Sequence, residues 1–220
     1  LEIEPGYTDA RVNRIRLRLA AGQKTEALVD LRVLIRNTPV NALAGQSRIY
    51  QLAGECGRWD LAANAARRIT RLRPEDAEAW RLLAQAEQNA GRQDALLAAR
   101  RRIVFLDPDR KESQIALGQS LLRCGEPLEA RFVLTNAVTR WPDDPDGWYW
   151  LGNASLRLEQ PEKALECYAR VGALEPPGKR ADFAKATTLL QMGDWAEGWS
   201  LYDGRYGLGA FKPRIPVNRG

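Results

Sequence analysis

Prolines stand at positions 5, 39, 74, 108, 142 and 176, separated by 34, 35, 34, 34 and 34 residues. A ladder that regular requires an internal repeat. Glycines at 22, 57, 91, 125 and 193 fall 17 residues ahead of successive proline positions, and Glu159 takes the one place in that series without a glycine. The residues between each Gly and the next Pro follow a helical pattern, and so do those between each Pro and the next Gly. Each unit is therefore two helices joined by a Gly turn and stopped by a Pro.

Setting position 1 three residues after each proline gives five repeats, 8–41, 43–76, 77–110, 111–144 and 145–178, with Ala42 as a one-residue insertion. Residues 1–7 read as the tail of a preceding repeat. Position 7 is then Ile49, Leu83, Leu117 and Leu151. Position 8 is Ala84, Gly118 and Gly152, and position 20 is Ala27, Ala62, Leu96, Ala130 and Ala164. Small and aliphatic residues at these places let two antiparallel helices cross closely. Repeat one departs, with Arg14 at position 7 and Ile15 at position 8, so its first helix is expected to be rotated or poorly packed.

The register resembles the tetratricopeptide repeat (TPR) family, with Trp80 and Trp148 at position 4, Tyr168 at position 24 and proline at position 32. The resemblance implies an all-α fold, a right-handed TPR superhelix (α-solenoid) of antiparallel helix pairs. It also implies that the first helix of each repeat lines a concave face. Position 9 of those helices runs Arg16, Gln51, Gln85, Gln119, Asn153, Thr187, a ladder rich in amides that can pair with the N–H and C=O groups of an extended peptide. Around it, Arg81, Gln88 and Asn89 make the centre polar, while Ile115, Leu122, Tyr149, Leu156, Phe183 and Leu190 make the C-terminal half apolar. Arg123 and Arg157, one repeat apart at position 13, are placed to hold a carboxylate. The expected partner is thus a protein or peptide in this groove. Replacing Gln85, Gln119 and Asn153 together by Ala is expected to weaken binding and leave the melting temperature nearly unchanged.

Continuing the register gives a sixth helix pair over 179–206, followed by an irregular tail or linker at 207–220 with Ala210 where a proline would stand. The run GDWAEGWSLYDGR, Gly193 to Arg205, is similar to the last TPR-like unit of bacterial proteins that join a TPR array to a glycosyltransferase domain. Asp203 and Gly204 depart from that family's bulkier pairing. The resemblance implies that the segment recruits a protein acceptor, such as flagellin, for glycosylation, and that Trp195, Trp199 and Tyr202 seat a following domain. The alternative is a free-standing scaffold for assembling a secretion or envelope-biogenesis complex. Either way the chain is expected to be part of a longer polypeptide.

Catalytic motifs do not compete with this reading. The chain has no histidine, which removes Ser/His/Asp and Cys/His arrangements and imidazole-bound zinc. Its glycines recur at the repeat period and not as a phosphate-binding loop. The acidic DDPD at 143–146 falls between repeats, where Asp caps the next helix. No enzymatic activity, cofactor or metal is expected for this segment.

Three cysteines, Cys56, Cys124 and Cys167, lack CxxC spacing and read as small buried hydrophobes in a cytoplasmic protein. No apolar run is long enough to span a membrane. The net charge of +5 is concentrated N-terminally: residues 1–74 hold 13 Lys/Arg against 7 Asp/Glu, and residues 75–220 hold 20 against 21. Arg11, Arg14 and Arg18 share one side of a helix and Arg67, Arg68 and Arg71 cluster in another. Such groups attract acidic partners or simply face solvent. Nucleic acid is disfavoured, because the basic excess is not interleaved with aromatics and the groove from repeat three onward is not basic.

Overall fold

The computed structural model describes residues 5–175 and 180–202. Every regular element among them is a helix: α1 (Pro5–Ala20), α2 (Lys24–Asn37), α3 (Leu43–Glu55), α4 (Trp59–Leu72), α5 (Ala77–Asn89), α6 (Gln93–Leu106), α7 (Lys111–Arg123), α8 (Pro127–Arg140), α9 (Pro145–Arg157), α10 (Pro161–Leu174), α11 (Arg180–Met192) and α12 (Trp195–Tyr202). No helix among the described residues is long and apolar enough to cross a membrane. The chain divides into two compact units, Leu1–Ser113 and Gln114–Gly220. Pro176, Lys179 and the segment 203–220, with Arg205 and the proposed tail, lie outside the described residues, as do the first four residues of the chain.

The two punctuation marks in the sequence act as expected. Helices α2, α4, α6 and α8 end two residues before Pro39, Pro74, Pro108 and Pro142, because the residue ahead of a proline is pushed out of the helical region. Each Gly turn has positive φ, from 69° at Gly57 to 89° at Gly193, and Glu159 adopts the same conformation at 56°. These turns close with paired bonds that satisfy the last carbonyls of the first helix. After α9, for example, the Glu159 N–H donates to Leu156 O at 3.0 Å and the Gln160 N–H to Ser155 O at 3.0 Å.

Side chains at position 4 tie the start of a repeat to the end of the one before. Trp80 Nε1 donates to Pro74 O at 2.9 Å, Trp148 Nε1 to Pro142 O at 2.8 Å, and Gln46 Nε2 makes the same bond to Pro39 O at 2.9 Å. Asp144 caps α9 through the N–H groups of Asp146 (2.9 Å) and Gly147 (3.4 Å), which gives the acidic DDPD run its structural role.

In the first unit the core runs from Ile15 through Leu31, Ile49, Ala62 and Ala66 to Leu83, Leu96 and Ile103. Repeat one is rotated by one position: Ile15 is fully buried and Arg14 turns outward. Arg14 closes bidentately on Asp30, with Nε at 2.7 Å and Nη2 at 2.6 Å, and Arg18 Nη1 adds a third bond at 2.7 Å. Asp30 is only 4% exposed, so it needs these partners. Two arginines of the α1 row, Arg14 and Arg18, thus find their acid within the chain. A second buried carboxylate, Glu87, is clasped in the same way by Arg67 (2.6 Å) and Arg92 (2.5 Å), linking α4, α5 and the turn into α6.

In the second unit, close helix crossings depend on glycine at position 8. A Cβ on Gly118 would sit 2.5 Å from Leu134 Cγ, and one on Gly152 would sit 2.5 Å from Tyr168 Cε1. Ala130 and Ala164, at position 20, are fully buried beside them. In the last pair, Gly198 plays the matching part against Leu190, where a Cβ would meet Cδ2 at 2.8 Å.

Candidate peptide-binding surface

One turn after another, α9 presents Tyr149, Asn153 and Arg157 on the same side, as helical spacing dictates. Together with Trp150 and Leu156, and with Leu122 and Arg123 from the end of α7, they line a hollow of about 320 Å³ in the second unit. Six of these seven residues stand at positions read as groove-lining from the register, and Trp150 is the addition. Arg123 and Arg157 are exposed, and neither makes an ion pair among the described residues. Their guanidinium groups are free to take a carboxylate at the rim of an aromatic and aliphatic floor.

The floor is held from behind by Tyr168. This side chain is fully buried, and its hydroxyl donates to Asn153 Oδ1 at 2.9 Å. Burial, reinforced by neighbouring Tyr149 and Cys167, pushes the Tyr168 pKa well up, so the phenol stays protonated and remains a donor. Beyond that bond the amide keeps its two Nδ2 donors and a second lone pair on Oδ1. Tyr149 packs against Trp150 edge-on, ring centroids 5.4 Å apart, and against Tyr168 at 5.9 Å. Arg180 lies over the Tyr149 ring at 4.7 Å and pairs with Glu175 at 2.9 Å and with Asp146. Burial opposes the Arg180 charge, but the Asp146 and Glu175 contacts outweigh it and raise the pKa.

The other predicted residues of this unit divide. Gln119 is half-buried on α7. Ile115 is only 8% exposed, and its Cδ1 lies 4.0 Å from where a Cβ on Gly147 would stand, so most of its surface is taken up by packing near the start of α9. Thr187 bonds back along its own helix to the carbonyls of Phe183 and Ala184, both at 3.0 Å. Phe183 is exposed and stacks near Tyr202 at 5.6 Å, and Tyr202 in turn meets Trp199 edge-on at 5.4 Å.

In the first unit, Gln51 is exposed, whereas Gln85 accepts the Tyr50 hydroxyl at 2.9 Å and Asn89 donates to the Gln85 carbonyl at 2.9 Å. Gln88 accepts from Arg100 at 2.9 Å. Arg81 is paired with Glu78 at 3.0 Å and with Asp107, so it serves the fold and is not a free ligand-binding cation. Two of the ladder amides therefore anchor tyrosines. The expectation that Gln85, Gln119 and Asn153 can be truncated together at little cost in stability is corrected: Asn153→Ala strands a buried Tyr168 hydroxyl, which costs about 1–3 kcal/mol.

The model of the family "Tetratricopeptide repeat" matches residues 51–111 and 115–178, more than half of the chain. This chain is a tetratricopeptide repeat protein. Among solved structures, the TPR chain is similar to MamA (residue 41 to the end) from Desulfovibrio magneticus RS-1, with a TM-score of 0.67 at 20% identity over 76% of this chain and 94% of that one. It is similar to YrrB, described as a TPR protein with an unusual peptide-binding site, with a TM-score of 0.61 at 14% identity over 79% and 88% of the two chains. A third likeness is to the C-terminal part of a TPR repeat-containing protein from Cytophaga hutchinsonii, TM-score 0.63 at 16% identity over 88% and 77%. At these identities the likeness establishes the all-α TPR solenoid fold. No curated protein matches the TPR chain.

Proposed function

We propose that this TPR chain is a protein-interaction module and that the hollow on α7 and α9 holds an extended polypeptide. The observation that carries the reading is an aromatic floor lined together with the Asn153 amide and two guanidinium groups, Arg123 and Arg157, that make no ion pair among the described residues. The ligand places an apolar side chain on Tyr149, Trp150, Leu122 and Leu156 and a carboxylate between the arginines. The peptide-binding character reported for YrrB supports the same class of partner.

A peptide array probed with the 220-residue chain tests this. Bound peptides should share an apolar residue within a few positions of an acidic residue or a free C-terminus, and Arg123→Ala/Arg157→Ala should lose them at an unchanged melting temperature. Retention of the same peptides by the double variant would refute the assignment.

The larger setting we infer is the acceptor-recruiting part of a bacterial protein glycosyltransferase, with flagellin as one acceptor type. The Gly193 to Arg205 run supports it, as do Trp195 and Trp199 of α12, which are 61% and 55% exposed on a face suited to seat another domain. The free-standing scaffold reading predicts instead that helix pairs of the same period, or none, follow Gly220. Sequencing the gene downstream separates the two, because a transferase domain continues as alternating strands and helices.

A further inference from the structure

The first unit carries a second hollow that the proposed groove does not include. About 190 Å³ in volume, it is lined by Val40 and Asn41, in the connection between α2 and α3, and by Arg68, Arg71 and Leu72 in the last turns of α4. Val40 is 64% exposed and Leu72 39%. Val40 and Leu72 thus leave apolar surface open next to two arginines.

The charges around this hollow are of one sign. Arg67, the neighbour of Arg68, is bound to Glu87 at 2.6 Å, and the arginines 58, 73, 81, 92 and 102 of the same unit are each paired with a carboxylate. Arg71 is exposed, with no hydrogen bond or ion pair among the described residues, and Arg68 reaches only the Gln46 amide oxygen, at a long 3.4 Å. No acidic side chain lines the hollow. Arg68 and Arg71 are three residues apart on one helix, so both guanidinium groups overlook the same side of it.

We propose that this hollow docks an acidic peptide segment, with an apolar side chain seated between Val40 and Leu72 and carboxylates on Arg68 and Arg71. Charge complementarity selects this occupant: guanidinium forks recognise carboxylates bidentately, and the Asn41 amide adds a further donor. A nucleic-acid strand fits less well, since no aromatic ring lines the hollow to stack a base. The site is independent of the Arg123 and Arg157 hollow, which lies in the other unit.

Fluorescence anisotropy on the 220-residue chain carrying Arg123→Ala/Arg157→Ala, which disables the hollow of the other unit, decides the matter with three labelled probes: a peptide of alternating Leu and Glu, the same peptide with Lys for Glu, and a dT oligomer of equal charge. The acidic peptide should bind at least about tenfold more tightly than the Lys peptide and weaken as salt rises. Arg68→Ala/Arg71→Ala should cost about tenfold, and Arg71→Ala alone a few-fold, at an unchanged melting temperature, since that exposed side chain makes no hydrogen bond or ion pair among the described residues. Val40→Ser in the same background should also weaken binding. In that background, no binding of the acidic peptide, equal binding of the acidic and Lys peptides, an added Arg71→Ala that changes nothing, or tighter capture of the dT oligomer would each overturn the proposal.

Discussion

Replacing Glu159 by glycine should stabilise the protein. Glu159 is the one non-glycine residue with positive φ among the described residues, at 56°, and it occupies the turn between α9 and α10 where its counterparts are glycines. For an L-residue that conformation costs about 1–2 kcal/mol. Glycine removes the cost but gives the unfolded chain more freedom, which returns about 0.5–1 kcal/mol. The Glu159 side chain is exposed and no hydrogen bond or ion pair of its carboxylate is among the described contacts, so its removal forfeits little. Taking the middle of both ranges, the net gain is about 0.7 kcal/mol, equivalent to a melting-temperature rise of about 1–3 °C in a chain of this length. Calorimetry measures the whole, and hydrogen exchange at the Gln160 amide, which bonds to Ser155 O, measures the turn itself. Glu159→Ala is the control, because alanine keeps the backbone penalty and should show no comparable gain. If Glu159→Gly melted at or below the wild-type temperature, or if alanine matched it, the strain would not reside in this turn.

Gly152→Ala should destabilise by about 1–3 kcal/mol, because its new methyl group meets the fully buried Tyr168 ring; thermal denaturation reads the shift. Ala130→Asp places a charge without a partner in a fully buried crossing and should cost several kcal/mol, with a loss of helical circular dichroism at 37 °C if the second unit melts. Tyr168→Phe should lower stability by about 1 kcal/mol and free the Asn153 amide to turn, which the Asn153 side-chain NH₂ resonances would report. Burial raises the Cys167 pKa from 9.0 to about 11, so the native state binds its proton more tightly than the unfolded state; the stability this contributes is full below pH 9 and is lost as pH rises from about 9 to 11. Iodoacetamide at pH 8.5 should accordingly label Cys167 far more slowly in the native than in the unfolded protein.

Much of this fold was legible because its rules are local. A proline stops the helix before it and a glycine accepts positive φ, so the ends of α1 to α8 could be read from punctuation, and the turn at Glu159 from the spacing of the repeat. The crossings were legible through residue size at positions 8 and 20, where Gly118, Gly152 and Ala130 meet large partners. What stayed hidden involved long-range pairs between polar groups. Nothing near Arg14 in the sequence announces Asp30, sixteen residues on, although an arginine at a core position could only fit if it turned outward and found an acid. Likewise the amide ladder read as an open row because its tyrosine partners, Tyr50 and Tyr168, come from other positions of the repeat. Ile115 reads as groove-lining at position 5 but is buried, its Cδ1 close to Gly147, a contact between residues 32 apart that the register does not announce.

The bonds from Trp80 and Trp148 to the prolyl carbonyls of Pro74 and Pro142 have a further use. An indole N–H that gains or loses a carbonyl partner changes its emission, so each of these rings is a built-in optical gauge of a single seam between repeats. Two single-tryptophan versions of the chain, one retaining Trp80 and the other Trp148, would record separately when each seam parts under denaturant. Coincident curves would describe one cooperative solid, and separated curves would show which end of the array yields first.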